Sequence, residues 1–211
     1  MKKRRLFGCL CLIALLILGT VQAFAASSAP KAEPPEYKGK KIIEVEFKGK
    51  VEFKNPAVKV KDSSGKYYKT VIVEKDDNDI KFKVPKLQSG KNYIYKISGI
   101  RKKGSGNYTK VKGSFRIAAK NEVLIQEVEY DRTANEVNFE IQGSVKWKKA
   151  KVVITDSKGR NYVKRIIEKD KNEIAVKVKK LKAGKKYRYK ISGVARKGSC
   201  KYKTVKGSFT P

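Results

Sequence analysis

Histidine is absent from the 211 residues, and cysteine nearly so. Without His the chain lacks the commonest general base and the commonest metal ligand. Of three cysteines, Cys9 and Cys11 fall in the first 25 residues and Cys200 stands alone, so the rest of the chain can close no disulfide of its own. Cys200 could cross-link two chains, though a passive thiol is the plainer reading. Acidic residues are scarce: 20 Asp and Glu face 52 Lys and Arg, a formal net charge of +32. Catalytic signatures are missing too, with no Gly-x-Ser-x-Gly, no phosphate loop and no Cys–His pair. We therefore expect no enzyme, no cofactor and no metal. The one long apolar run, Leu6 to Leu18, falls short of the roughly 20 residues a membrane-spanning helix needs.

What stands around that run reads as an address. Lys2, Lys3, Arg4 and Arg5 precede it, and Ala23-Phe24-Ala25 follows it. A basic start, a short apolar stretch and a small-x-small end are the parts of a secretory signal peptide, so residues 1–25 are expected to be removed after Ala25. Cys9 and Cys11 lie inside the apolar run and not at its end, which argues against lipidation. Cleavage takes four basic residues and no acidic one, leaving 48 against 20, or +28. Such a surface resists self-association and attracts polyanions at long range, and salt weakens the attraction. No sorting motif or apolar tail follows the last predicted strand, so the mature protein is expected to be released or held by charge.

The mature chain repeats itself. Asp62-Ser63-Ser64-Gly65 returns 94 residues later as Asp156-Ser157-Lys158-Gly159. The same shift carries Tyr93-Ile94-Tyr95-Lys96-Ile97-Ser98-Gly99 onto Tyr187-Arg188-Tyr189-Lys190-Ile191-Ser192-Gly193, and Val111 to Phe115 onto Val205 to Phe209. A period near 94 residues is the size of a small sandwich domain and too long for one solenoid coil. Within each copy, Ile80, Phe82 and Val84 alternate with lysines, as Tyr93, Tyr95 and Ile97 alternate with Ile94, Lys96 and Ser98. Alternation over several residues predicts strands with one buried face, and Asp-, Asn-, Ser- and Gly-rich turns separate them. The expected organisation is a signal peptide at 1–25, a flexible Ala/Ser/Pro-rich lead at 26–35, one β-sandwich repeat at 36–120 and a second at 121–211.

Leu87-x-x-Gly90-x-x-Tyr93 and Leu181-x-x-Gly184-x-x-Tyr187 resemble the E-to-F corner of fibronectin type III domains. That resemblance implies an all-β fold of two tandem immunoglobulin-like sandwiches. In it Leu ends a strand, Gly makes the turn, and Tyr93 and Tyr187 fold back to bond the backbone as tyrosine corners. Upstream the pattern leaves two registers open. Phe53 and Trp147 sit either on strand B or on the approach to strand C, with Ile43 to Phe47 then supplying strand B. More broadly, the chain is similar to Lys-rich tandem immunoglobulin-like proteins secreted by anaerobic Gram-positive bacteria, which implies an extracellular or envelope setting and no particular activity.

The candidate binding residues sit at the predicted F–G hairpins: Arg101, Lys102, Lys103, Tyr108, Lys110 and Lys112 in the first copy, and Arg196, Lys197, Lys201, Tyr202 and Lys206 in the second. Loops at sandwich ends commonly carry binding. Exposed Tyr beside cations can stack on sugars or bases while the cations hold anions. The acidic run Glu74, Asp76, Asp77, Asn78, Asp79 could suggest calcium, but a turn explains it more plainly. Residues 41–115 carry +11 and residues 135–209 carry +17, so the second copy is the first place to look for binding. Alternation puts outward lysines on strands of both sheets, so charge is expected to wrap each module. The functional expectation is a secreted, non-enzymatic adhesion or scaffold protein drawn to an anionic cell-wall polymer or glycan. The alternative is a structural spacer or assembly subunit with a protein partner. Export and the absence of a recognised module argue against nucleic acid.

Overall fold

A computed structural model of the chain describes residues 29–211. The signal peptide, its cleavage site, Cys9 and Cys11 lie outside the described residues. The first repeat is built from β1 (Glu36–Tyr37), β2 (Ile42–Glu46), β3 (Val51–Asp62), β4 (Tyr67–Tyr68), β5 (Val71–Lys75), β6 (Asp79–Lys83), β7 (Asn92–Lys102) and β8 (Thr109–Arg116). The second uses β9 (Ile125–Asp131), β10 (Glu136–Ile141), β11 (Val145–Thr155), β12 (Val163–Lys169), β13 (Glu173–Val178), β14 (Tyr187–Arg196) and β15 (Lys203–Phe209). Sheets of order β1-β2-β6-β5 and β4-β3-β7-β8 make the first sandwich, and β9-β10-β13-β12 and β11-β14-β15 the second. The fold is all-β, and the named pairings are antiparallel.

Each repeat has its own core. Ile43, Val45, Ile80, Phe82, Tyr93 and Ile97 are fully buried in the first, and Val137, Phe139, Ile174, Val176, Tyr187 and Ile191 in the second. These are the inward members of the alternating runs, so burying them forces the intervening lysines to the surface. At the E-to-F corner, the Tyr93 hydroxyl accepts from the Gln88 N–H at 2.8 Å and the Tyr187 hydroxyl from the Lys182 N–H at 3.0 Å. Leu87 and Leu181 are buried beneath the corner, and Gly90 and Gly184 turn it at φ +80° and +70°. The Asp62 and Asp156 turns recur for a related reason. Each buried carboxylate accepts backbone N–H groups from two and four residues on, and a Tyr hydroxyl from Tyr68 or Tyr162.

The open register upstream resolves as one long strand. Phe53 lies on β3 together with Val58 and Val60, and Trp147 lies on β11, so Ile43 to Phe47 supplies the strand before. A bulge between Phe53 and Ala57 makes this possible. Val51 faces inward before it and Val58 and Val60 after it, so across this irregular segment the inward set passes from odd to even numbers. Gly99 sits across from the bulge, and a Cβ there would come within 2.3 Å of the Lys54 carbonyl oxygen; Gly193 meets the Lys148 carbonyl in the same way at 2.2 Å. The lead expected to be flexible at 26–35 is tied down from Lys31 onward. The Lys31 carbonyl accepts from the Lys48 N–H, and the Glu33 N–H donates to the Glu46 carbonyl, both at 2.8 Å.

The repeats meet through polar contacts. The buried Gln142 side chain accepts from the Ala118 N–H at 2.6 Å and donates to the Arg116 carbonyl at 2.9 Å. The Tyr37 N–H donates to Gln126 Oε1 at 3.2 Å. Beside it, Glu36, Glu127 and Glu140 bring carboxylate oxygens within 4.8 Å of one another. Burial, and then the neighbouring Glu36, push Glu127 up to about 8.

Candidate anion-binding surface

The residues expected to form one basic patch at each F–G hairpin do not stay together. Arg101 is paired with Glu52, its Nε 2.8 Å and its second guanidinium nitrogen 2.6 Å from the carboxylate, and it lies 4.6 Å from the centre of the Tyr108 ring. Cation and aromatic are thus engaged with each other. Lys102 and Lys103 are exposed at the hairpin turn. In the second repeat Arg196 turns away to donate to the Gln142 carbonyl. Lys197 and Lys201 are exposed, and Tyr202 is overhung by Lys146 and Lys148 at 5.8 and 5.9 Å.

Lys110 and Lys112 belong elsewhere, on the outer face of the β4-β3-β7-β8 sheet. There the register sets Lys59 opposite Lys96, and Lys96 opposite Lys112. Three lysines therefore form one row across three adjacent strands, about 10 Å from end to end at the usual strand spacing. Lys110 stands two residues along β8 from Lys112, and Lys61 two residues along β3 from Lys59. Like charges directly opposite one another destabilise a sheet. The Lys110 ammonium, then burial, then Lys112 and Lys59 hold Lys96 below the ordinary lysine value.

Nothing offsets this crowding. Among the described residues no carboxylate forms an ion pair with Lys59, Lys61, Lys96, Lys110 or Lys112, whereas Lys38, Lys81, Arg101, Arg160 and Lys177 all have acidic partners. Lys59, Lys61, Lys96 and Lys112, with Tyr67 and Ile94, line a depression of about 350 Å³. That volume is at the low end of the range for ligand clefts, about 300–1,000 Å³. Tyr67 is 66% exposed and Ile94 44% exposed, an apolar edge on a cationic shelf. Sequence reasoning named Lys110 and Lys112, and alternation along the strands turns Lys96 outward with them, but Lys59, Lys61 and Tyr67 were missed as their partners. The alternation Val58-Lys59-Val60-Lys61 was the available signal.

The second repeat keeps only part of the arrangement. The equivalent row reads Val153, Lys190, Lys206, with Lys190 opposite both Val153 and Lys206. Thr155 stands where the first repeat has Lys61, Thr204 where it has Lys110, Asn161 for Tyr67 and Arg188 for Ile94. The window 135–209, the more basic of the two compared, thus carries the weaker row.

Acid is concentrated at the seam. Glu33, Glu36, Glu44, Glu46, Glu127 and Glu129 border a cleft of about 820 Å³ between the repeats. Burial would raise Glu44, but hydrogen bonds from Lys38 and Lys81 outweigh it and leave its carboxyl below the ordinary value. The acidic run at 74–79 is a turn closed from the Asp76 N–H to the Asp79 carbonyl at 3.0 Å, with Glu74 paired to Lys81 and Asp77 to Lys50. No helix among the described residues is long and apolar enough to cross a membrane.

No family model matches the chain, and no curated protein matches it. Among solved structures it is similar to a BSP domain of a biofilm-associated protein, with 17% identity and a TM-score of 0.38 over 86% of this chain. The chain spans 29% of that protein's length. It is also similar to a two-domain fibronectin type III segment of chicken tenascin, with 16% identity and a TM-score of 0.28 over 86% of this chain and 99% of the other. At such scores neither likeness carries an argument about function.

Proposed function

We propose that this chain is a secreted, non-enzymatic binding module of the adhesion or scaffold kind, and that it holds an anionic polymer of the cell envelope on the lysine face of its first repeat. The observation that carries this reading is the row Lys59–Lys96–Lys112, set side by side without an acidic partner. A solvated face meant only for solubility is served by dispersed charge, whereas a like-charged row costs stability until anions lie across it. The export setting rests on the leader at residues 1–25 and on the resemblance to Lys-rich secreted tandem proteins. The test is retention of the mature protein on anionic wall polymer across a salt series. Five lysines engaged on a flexible polyanion give a log-affinity slope near −3.5 against log salt. Binding absent at low salt, or indifferent to salt, refutes the reading.

A second reading, a structural spacer or assembly subunit with a protein partner, is favoured by the seam. Gln142 clamps the connecting backbone at Ala118 and Arg116, and Gln126 reaches across to Tyr37. A spacer needs a joint of this kind. Small-angle scattering of the mature chain tests it: one fixed end-to-end dimension supports a spacer, and a broad distribution removes it.

A further inference from the structure

Resting on the polymer-binding reading, we infer that the ligand is an anionic glycan, a chain of sugar rings bearing phosphate or sulfate groups, and that Tyr67 and Ile94 are the shelf on which a ring lies. Two parallel rows cross the sheet. Lys59, Lys96 and Lys112 make the cationic row. In the next row, Tyr67 faces Lys61 and Lys61 faces Ile94. Two residues along a strand separate the rows by about 7 Å. Both rows border the same depression. A ligand that fills it presents oxyanions to the lysines, Lys61 included, and an apolar or ring face to Tyr67 and Ile94, which flank Lys61.

A bare polyphosphate chain satisfies the lysines and leaves Tyr67 and Ile94 in water. A sugar ring with a tetrahedral oxyanion beside it uses both, through its C–H face on the Tyr ring and its charge on the ammonium groups. Single-stranded nucleic acid also joins rings to phosphates, but its binders offer successive aromatic platforms for successive bases. This face offers one exposed aromatic, followed by an aliphatic side chain. The second repeat has Asn161 and Arg188 at the shelf positions, so the inference places the ring-binding contact in the first repeat alone.

The test measures affinities of the mature protein for four probes matched in charge: a phosphorylated mannan, dextran sulfate, bare polyphosphate and a thymidine oligonucleotide. Two double variants are compared with the parent, Tyr67→Thr with Ile94→Thr, and Lys96→Gln with Lys112→Gln. Threonine keeps the strand preference at both exposed positions, and unchanged melting curves control for folding. Losing one stacked ring is expected to weaken glycan binding about tenfold and to change polyphosphate binding less than twofold. A response from either glycan supports the inference and identifies the oxyanion. Equal loss on polyphosphate, or no loss on any probe, overturns it while the lysine variants still report on the parent reading. Tighter binding of the oligonucleotide than of both glycans overturns it in favour of nucleic acid. Lysine variants that leave all four probes unaffected sink the parent reading itself.

Discussion

Removing both ends of the lysine row, by Lys59→Gln together with Lys112→Gln, tests whether arrangement or total charge does the binding. Glutamine keeps most of the side chain's length and its strand position, and only the charge is lost. Lys59 and Lys112 are exposed, and each faces Lys96 directly, so the fold loses a repulsion and no contact. The melting temperature is expected to hold or rise. Binding is expected to fall. On a flexible polyanion each neutralised charge contributes about 0.7 to the salt slope, so at 0.1 M salt each lysine is worth roughly fivefold in affinity and the pair about 25-fold. The slope drops from about −3.5 to about −2.1. Anisotropy titrations with a labelled polyanion at four salt concentrations give both numbers. The matched pair Lys190→Gln with Lys206→Gln occupies the incomplete row of the second repeat and is the control. If it weakens binding as much as the first pair does, or if the first pair costs less than threefold, charge acts diffusely and the row has no special part.

Four further changes probe the scaffold. Tyr187→Phe leaves the Lys182 N–H without its acceptor at a buried corner and should cost about 1–3 kcal/mol, read as a lowered denaturant midpoint; an unchanged midpoint would mean that water replaces the hydroxyl. Gly113→Ala puts a Cβ within 2.4–2.6 Å of the Tyr95 ring, which cannot swing away from a packed core, so a loss of about 1–3 kcal/mol is expected. Gly106→Ala, in open space, should stay within about 0.5 kcal/mol. At the seam, Glu127 is raised from 4.5 to about 8 by burial and by Glu36. A carboxyl raised by folding stabilises below its unfolded value and loses that contribution as pH climbs through the folded one. The melting temperature should therefore decline between about pH 4.5 and 8, and Glu127→Gln should flatten the decline. Equal slopes in the two proteins would remove Glu127 as the cause.

The sandwich was legible because its signals are local. Alternation names the buried face of β6, β7, β13 and β14 from five or six consecutive residues. The Asp62 and Asp156 turns and the Leu-x-x-Gly-x-x-Tyr corners recur because each fixes a hydrogen-bond pattern within a few residues. The lysine row has no such local mark. Lys59, Lys96 and Lys112 come from three strands, and their alignment depends on the bulge after Phe53. Were the alternation to run unbroken from Val51, Lys59 and Lys61 would point into the core.

The same distance hides the partners that disqualify the arginines. Arg101 looked free until Glu52, 49 residues earlier, was placed beside it, and Arg196 until its guanidinium was found on the Gln142 carbonyl 54 residues away. The net charges of the matched windows, +11 and +17, do not register this arrangement for a related reason. The surplus of residues 135–209 includes Lys158, Lys164, Lys179 and Lys182, on loops and edges that share no row. A charge at an isolated position is screened within about 10 Å at 0.1 M salt. Its contribution to holding a polymer depends on which other charges lie inside that distance. The first repeat sets Lys59, Lys61, Lys110 and Lys112 on one face, each within that range of Lys96, and this arrangement is why it is the expected anchor.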